Sequence, residues 1–199
     1  MKSHAREKGE YLCPAFNCSR WPSSITSARS QFLNSNMDLA TQRDVVDRLH
    51  LASSEPVGAT YAEADANGVP SLWCIPEDCD KDHVLLHMLA GGSVVWSIHT
   101  DRKAVGHIAK AVRVRTLLGG YRRAPEHKYP AQIEDVEKAY RWLLEQGIRP
   151  QNIASIGHSI GGSLAVNLPL PFVRRGLLCQ APSVGLALVR LGGEQPDSG

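Results

Sequence analysis

The 199-residue chain has no excess of charge of either sign. Lys plus Arg number 22 against 20 Asp plus Glu, a net charge of +2, and the positive residues are scattered. A nucleic-acid binder needs a basic stripe to replace counterions along phosphates, so no nucleic-acid partner is expected. The pairs Arg122-Arg123 and Arg174-Arg175 read as solvated surface. No apolar run approaches the roughly 20 residues that cross a bilayer, so no transmembrane segment is expected. The opening Met1-Lys2-Ser3-His4-Ala5-Arg6-Glu7-Lys8-Gly9-Glu10 is followed by no apolar h-region, which argues against a secretory signal and makes the cytoplasm the expected location. Cysteine is scarce too: Cys13, Cys18, Cys74, Cys79 and Cys179. The repeated C-x4-C spacing is looser than ordinary zinc pairs, and Cys74 falls in an alternating, strand-like segment. Free thiols are expected there, and no metal site.

At 43% hydrophobic, the chain can build one substantial core. Residues 1–37 lack sustained apolar periodicity and contain the turn-rich Trp21-Pro22-Ser23-Ser24, so they are expected to form a loosely ordered arm; 38–199 are expected to form the domain. Leu39, Val45, Val46, Leu49 and Leu51 can lie along one side of a helix. From Gly58, two alternating segments flank Asn67-Gly68, a hairpin signature. Val84–Leu89 reads as an inner strand ended by Gly91-Gly92, 102–112 as a helix, and Val114–Leu118 as a strand. Ile133, Val136, Tyr140, Leu143 and Leu144 mark a helix over 131–146 that Gly147 can stop. Ile153–Ile156 is the next strand. Pro169 and Pro171 either end the helix after it near Leu168 or kink it, and a last strand lies at 177–179 or 184–189. Strands alternating with helices predict an α/β fold: a mostly parallel sheet with helices on both faces.

One motif carries chemistry. Gly157-His158-Ser159-Ile160-Gly161-Gly162 follows the strand Ile153–Ile156 and opens a helix, the arrangement that exposes a serine nucleophile on a sharp turn. Glycines at 157 and 161 leave room where the strand-to-helix turn is most crowded, and the helix N-terminus favours developing negative charge. Acyl transfer also needs amide donors for the oxyanion. Ile160, directly after the serine, is the first candidate; Gly91 and Gly92 are the second, although an ordinary strand-ending turn explains these two equally well. The acid and base that normally accompany such a serine follow it in the order Ser, Asp or Glu, His. No histidine follows His158.

Three blocks then make residues 57–168 resemble the bacterial hormone-sensitive-lipase-like esterases of the α/β-hydrolase fold: Ala90–Ser97, Tyr121-Arg122-Arg123-Ala124-Pro125-Glu126-His127 running into Tyr129-Pro130-Ala131 and Asp135, and Gly157–Gly162. The middle block is the most specific. The resemblance implies hydrolysis of short or medium acyl esters, a small-molecule substrate, through an acyl-enzyme on Ser159, with Gly91, Gly92 and Ile160 as oxyanion donors and no cofactor. It also implies that Glu126 and His127 support the site without joining a triad, beside the turn glycines Gly157 and Gly161, and that Asp135 is a structural helix position.

The departures from the family pattern matter as much. Leu89-Ala90-Gly91-Gly92 stands where the family has His-Gly-Gly-Gly, and His87 lies two positions upstream, about 6–7 Å away along a strand. His158 and Ile160 replace Asp and Ala, and Gly120 replaces an Asp. The family's C-terminal third, with its triad Asp and His, has no counterpart: Asp197 sits in a Gln195-Pro196-Asp197-Ser198-Gly199 tail. The expectation is therefore a truncated fold with the C-terminal third missing and impaired activity. The alternative is a non-catalytic remnant or interaction protein derived from an esterase, self-associating through an exposed sheet edge. An unaided serine hydroxyl is a weak nucleophile.

Overall fold

The computed structural model describes residues 37–48, 51, 53–168 and 183–186. The expected arm over 1–37 lies outside them except for Met37, as do Cys13, Cys18, Cys179, Asp197 and the candidate strand at 177–179. Helix α1 (Leu39–Asp47) starts at Asp38, whose carboxylate accepts from the Thr41 amide at 3.0 Å. The hairpin follows as β1 (Ala59–Asp65) and β2 (Pro70–Pro76). Asn67 and Gly68 supply its left-handed turn at φ 57° and 82°, which fixes the register from Ala59 opposite Pro76 to Asp65 opposite Pro70. Then come β3 (Asp80–Met88), α2 (Ile98–Val112), β4 (Val114–Gly119), α3 (Ala131–Glu145), β5 (Ile153–His158), α4 (Ile160–Asn167) and β6 (Ser183–Leu186).

Helix α2 starts four residues before the expected position. Its apolar stripe begins later, but a capping box at Ser97 and Thr100 fixes the true start. Helix α4 ends at Asn167 with Leu168 as its cap, just before Pro169. The last described strand, β6, overlaps the second of the two candidate segments.

The strands order as β1-β2-β4-β3-β5-β6. The expectation of a mostly parallel sheet is corrected here: the sheet is mixed. Pairs β4/β3, β3/β5 and β5/β6 are parallel, whereas β1/β2 and β2/β4 are antiparallel. The cause is local. No helix separates β1, β2 and β3, and each tight turn reverses the chain, so β2 runs against β1 and also against β3 and β3's parallel neighbour β4. Reading strand–helix alternation from the centre of the chain overlooks this N-terminal run.

Helices cover both faces, as expected. On one face Val84, Leu86, Met88 and Leu117 meet Val136, Tyr140 and Leu143 of α3 and Leu164 and Ala165 of α4. On the other, Leu72, Cys74 and Leu118 meet Val105 and Ala109 of α2. Leu117 and Leu118 are adjacent, fully buried, and on opposite faces, as the strand's two-residue period requires.

Candidate active site

Ser159 joins β5 to α4 at φ 54°, ψ −129°, a conformation that side-chain-bearing residues adopt only when their surroundings compel it. The compulsion is steric. A Cβ on Gly157 would run into the Gly161 backbone and sit 2.9 Å from the Gly162 nitrogen; one on Gly161 would strike the Met88 carbonyl oxygen and lie 2.6 Å from that of Leu89. Helix α4 therefore starts pressed against the end of β3, with Ser159 exposed at the crest.

Beyond Leu89 the chain makes a short 3-10 turn, Gly91–Ser93. Gly91, Gly92 and Ser93 all have positive φ, at 71°, 65° and 60°. Gly91 is obligatory because Trp96 packs against it, 2.5 Å from where a Cβ would stand. Gly92 is exposed and open on that side. Tyr121, which is buried, anchors the entry to this turn: its hydroxyl donates to the Leu89 carbonyl at 2.7 Å and leans toward that of Ala90 at 3.4 Å. Burial pushes the phenol up to about 12. A cleft of ≈ 310 Å³ opens between Ser93 of this turn, Ile160 and Leu164 of α4, and Gln132 and Ile133 of α3. The structure thus gathers Ser159, Ile160, Gly91 and Gly92 at the C-terminal ends of β3 and β5.

The residues expected to support the site hold the rim together. Glu126, half-exposed, takes a two-pronged grip from Arg43 of α1 at 2.6 and 2.8 Å, and Arg43 also donates to the carbonyls of Val94 and Ala124. Arg43 holds the Glu126 carboxyl at about 2, well below its ordinary range. His127 is exposed, and its carbonyl accepts from Gln132 at 2.8 Å. Asp135 is buried and accepts from the Arg122 amide and guanidinium at 2.8–2.9 Å and from Lys138 at 3.0 Å. It fastens the 121–127 segment to α3. Neither Arg43 nor the anchoring role of Tyr121 was visible in the sequence, because their partners lie 83 and 32 residues away.

No hydrogen bond joins the Ser159 hydroxyl to a histidine among the described residues. His83 pairs with Asp80 at 2.8 Å, His107 lies 3.1 Å from the Ser54 carbonyl, and His99 and His127 are exposed. His87 and His158 lie close to the serine in the fold but turn toward the α2 face. The register places His87 beside Ile156, so His158, two residues on, leaves β5 on the same side. There His87 Nδ1 comes within 3.9 Å of Asp101 Oδ2, too far for a hydrogen bond. Both atoms are buried and without a partner. Burial, reinforced by His158, pushes His87 down to about 3, and burial lifts Asp101 to about 7. Trp96 and His158 pack in a T-shaped arrangement with ring centroids 4.9 Å apart.

A strained serine between a parallel strand and a helix, beside a glycine turn at the end of the neighbouring strand, defines the scaffold of an α/β-type serine hydrolase. Residues 84–191 match the alpha/beta hydrolase fold family, more than half of the chain, and the chain belongs to that family. The bacterial hormone-sensitive-lipase-like resemblance also holds: the crystal structure of an esterase from that family matches with a TM-score of 0.73 and 31% identity, over 80% of this chain and 53% of that one. An ethyl acetate hydrolase of Pseudomonas putida is 39% identical across 42% of this chain and 28% of its own length. An esterase of Acinetobacter venetianus is 31% identical across 57% and 40%. The chain spans about half or less of the length of these relatives. No helix among the described residues is long and apolar enough to cross a membrane.

Proposed function

We propose that Ser159 is the nucleophile of a carboxylic ester hydrolase acting on short or medium acyl esters. The observation that carries this reading is the strained backbone of Ser159, held by glycines that touch neighbouring backbone on both sides. Its oxygen would add to the ester carbonyl and the alcohol would leave, giving an acyl-serine that water then cleaves. Amides of Gly91, Gly92 and Ile160 are the donors for the negative oxygen formed at each addition. The cleft between Ser93, Ile160 and Ile133 is the place for the small acyl or alcohol group. Two free thiols, Cys74 and Cys79, accord with a reducing, cytoplasmic setting, and a nucleic-acid partner forms no part of the reading.

With no described histidine bonded to Ser159, this chain alone is expected to lack the roughly 10²–10⁴-fold contributed by a positioned base. Hydrolysis of a chromogenic short-chain aryl ester by the intact chain, compared with Ser159→Ala, tests this. Slow release that disappears in Ser159→Ala is the expected outcome; release that survives the substitution overturns the nucleophile assignment. That no described histidine is bonded to Ser159 also favours a second reading, a non-catalytic interaction protein that pairs through β6, the outermost described strand on its side of the sheet. A strictly monomeric mass under native conditions would contradict that pairing.

A further inference from the structure

We propose that His87, Asp101 and His158 form a binding site for a divalent first-row transition ion of the zinc class, on the face of the sheet covered by α2. One ligand atom from each residue can be chosen so that all three lie within 4.8 Å of one another. Two imidazoles and a carboxylate around one point are a recurrent donor set for such ions, whereas magnesium and calcium favour oxygen ligands throughout. Metal–ligand bonds near 2.0–2.2 Å in a tetrahedral site would separate ligand atoms by about 3.4 Å. The Nδ1 of His87 and Oδ2 of Asp101 are 3.9 Å apart, so that edge needs to shorten by only about half an ångström.

The second observation is independent of the spacing. The side chains of His87 and Asp101 are only 3% and 4% exposed, yet Nδ1 of one and Oδ2 of the other have no partner. Buried polar atoms are normally satisfied. A hydrogen bond between them would need a shorter distance, whereas one cation between them satisfies both. The elements that present these groups are rigid. His87 is paired on both sides within the sheet, opposite Leu118 and Ile156. Asp101 stands in the first turn of α2, which the Ser97–Thr100 capping box fixes and which Asp47 of α1 ties down by accepting from both hydroxyls at 2.6 Å. Trp96 backs the ring of His158. His158 is the exposed member, so the site opens toward solvent on its side and leaves a position for water, as three-ligand zinc sites do.

The site does not depend on Ser159 being a nucleophile. Titration of the intact chain with Co²⁺, followed by its visible ligand-field bands, and with Zn²⁺ by calorimetry, tests it. One ion per chain is expected, with His158→Ala and Asp101→Asn each weakening binding at least ten-fold while the circular dichroism spectrum stays unchanged. His158 is exposed, so its truncation tests the site without emptying the core. His83→Ala, which touches a distant exposed pair, is expected to bind like the parent chain. Equal affinity in His158→Ala and the parent would overturn the proposal. So would a thiolate charge-transfer band that assigns the bound ion to cysteines, or the absence of any saturable binding, which would leave water as the occupant.

Discussion

The two faces of the sheet solve the same packing problem differently. The face under α3 and α4 is mainly apolar: Val84, Leu86, Met88, Leu117, Tyr140, Leu143 and Leu164 close over one another, its buried polar groups Gln132, Asp135 and Ser155 are all hydrogen-bonded, and helix α4 comes near enough that only hydrogen fits at Gly161. The face under α2 has a smaller apolar cluster and also buries His87, Thr100, Asp101 and Lys103. Lys103 is satisfied by the Ser53 carbonyl at 2.8 Å, whereas the facing atoms of His87 and Asp101 are not. The faces therefore differ in one pair: on the second, the facing atoms of His87 and Asp101 are buried without the hydrogen bonds that every named polar group of the first face makes.

Leu86 and His87 adjoin on β3 and point to opposite faces, so they weigh this contrast directly. Leu86→Ala removes a side chain that is 1% exposed and is expected to cost about 3 kcal/mol, as buried leucine truncations do, read from urea unfolding. Replacing the polar pair together, His87→Leu with Asp101→Val, removes two unpartnered buried atoms. In the presence of a chelator it is expected to be neutral or to gain about 1 kcal/mol, because deleting both members of a poorly satisfied pair relieves their desolvation. A loss matching that of Leu86→Ala would show that the α2 face is packed as tightly as the other, and the contrast would be gone.

Legibility in the sequence followed the range of the interactions involved. The elbow could be read because all its parts lie between Ile153 and Gly162, and glycine there has a single steric reason. The hairpin could be read from Asn67-Gly68, and α3 from its apolar period. Sheet order was hidden, because nothing local says that β2 will lie beside β4. The start of α2 is not legible in the apolar spacing, which gives no sign of the Ser97 cap. Among the site residues, Glu126 was noticed inside a block, but its partner Arg43 lies 83 positions away. The grouping of His87, Asp101 and His158 depends on the parallel register of β3 and β5 and on where α2 docks. In the sequence His87 stands out only as lying two positions upstream of a missing loop imidazole, too far to replace it; its alternation with Leu86 is the available clue that it faces away from the core under α3 and α4.

The smallest expected effect sharpens the contrast from the rim, where solvent reaches a charged pair. Arg43 and Glu126 meet in two-pronged geometry, and the carboxyl titrates at about 2, against an ordinary value of 4.5, chiefly because of its bonds to Arg43. A carboxylate whose pKa is lower in the folded state binds fewer protons there than in the unfolded chain. Its contribution is therefore complete above pH 4.5 and is lost as pH falls toward about 2. Glu126→Gln should lower the melting temperature slightly at pH 7, and the difference from the parent should shrink below pH 4.5 and vanish near pH 2. Added salt should narrow the gap at pH 7, since an exposed pair is screened. Thermal unfolding of both proteins across this range checks the sign: a gap that widens on acidification would mean that the pair does not stabilise the fold through charge.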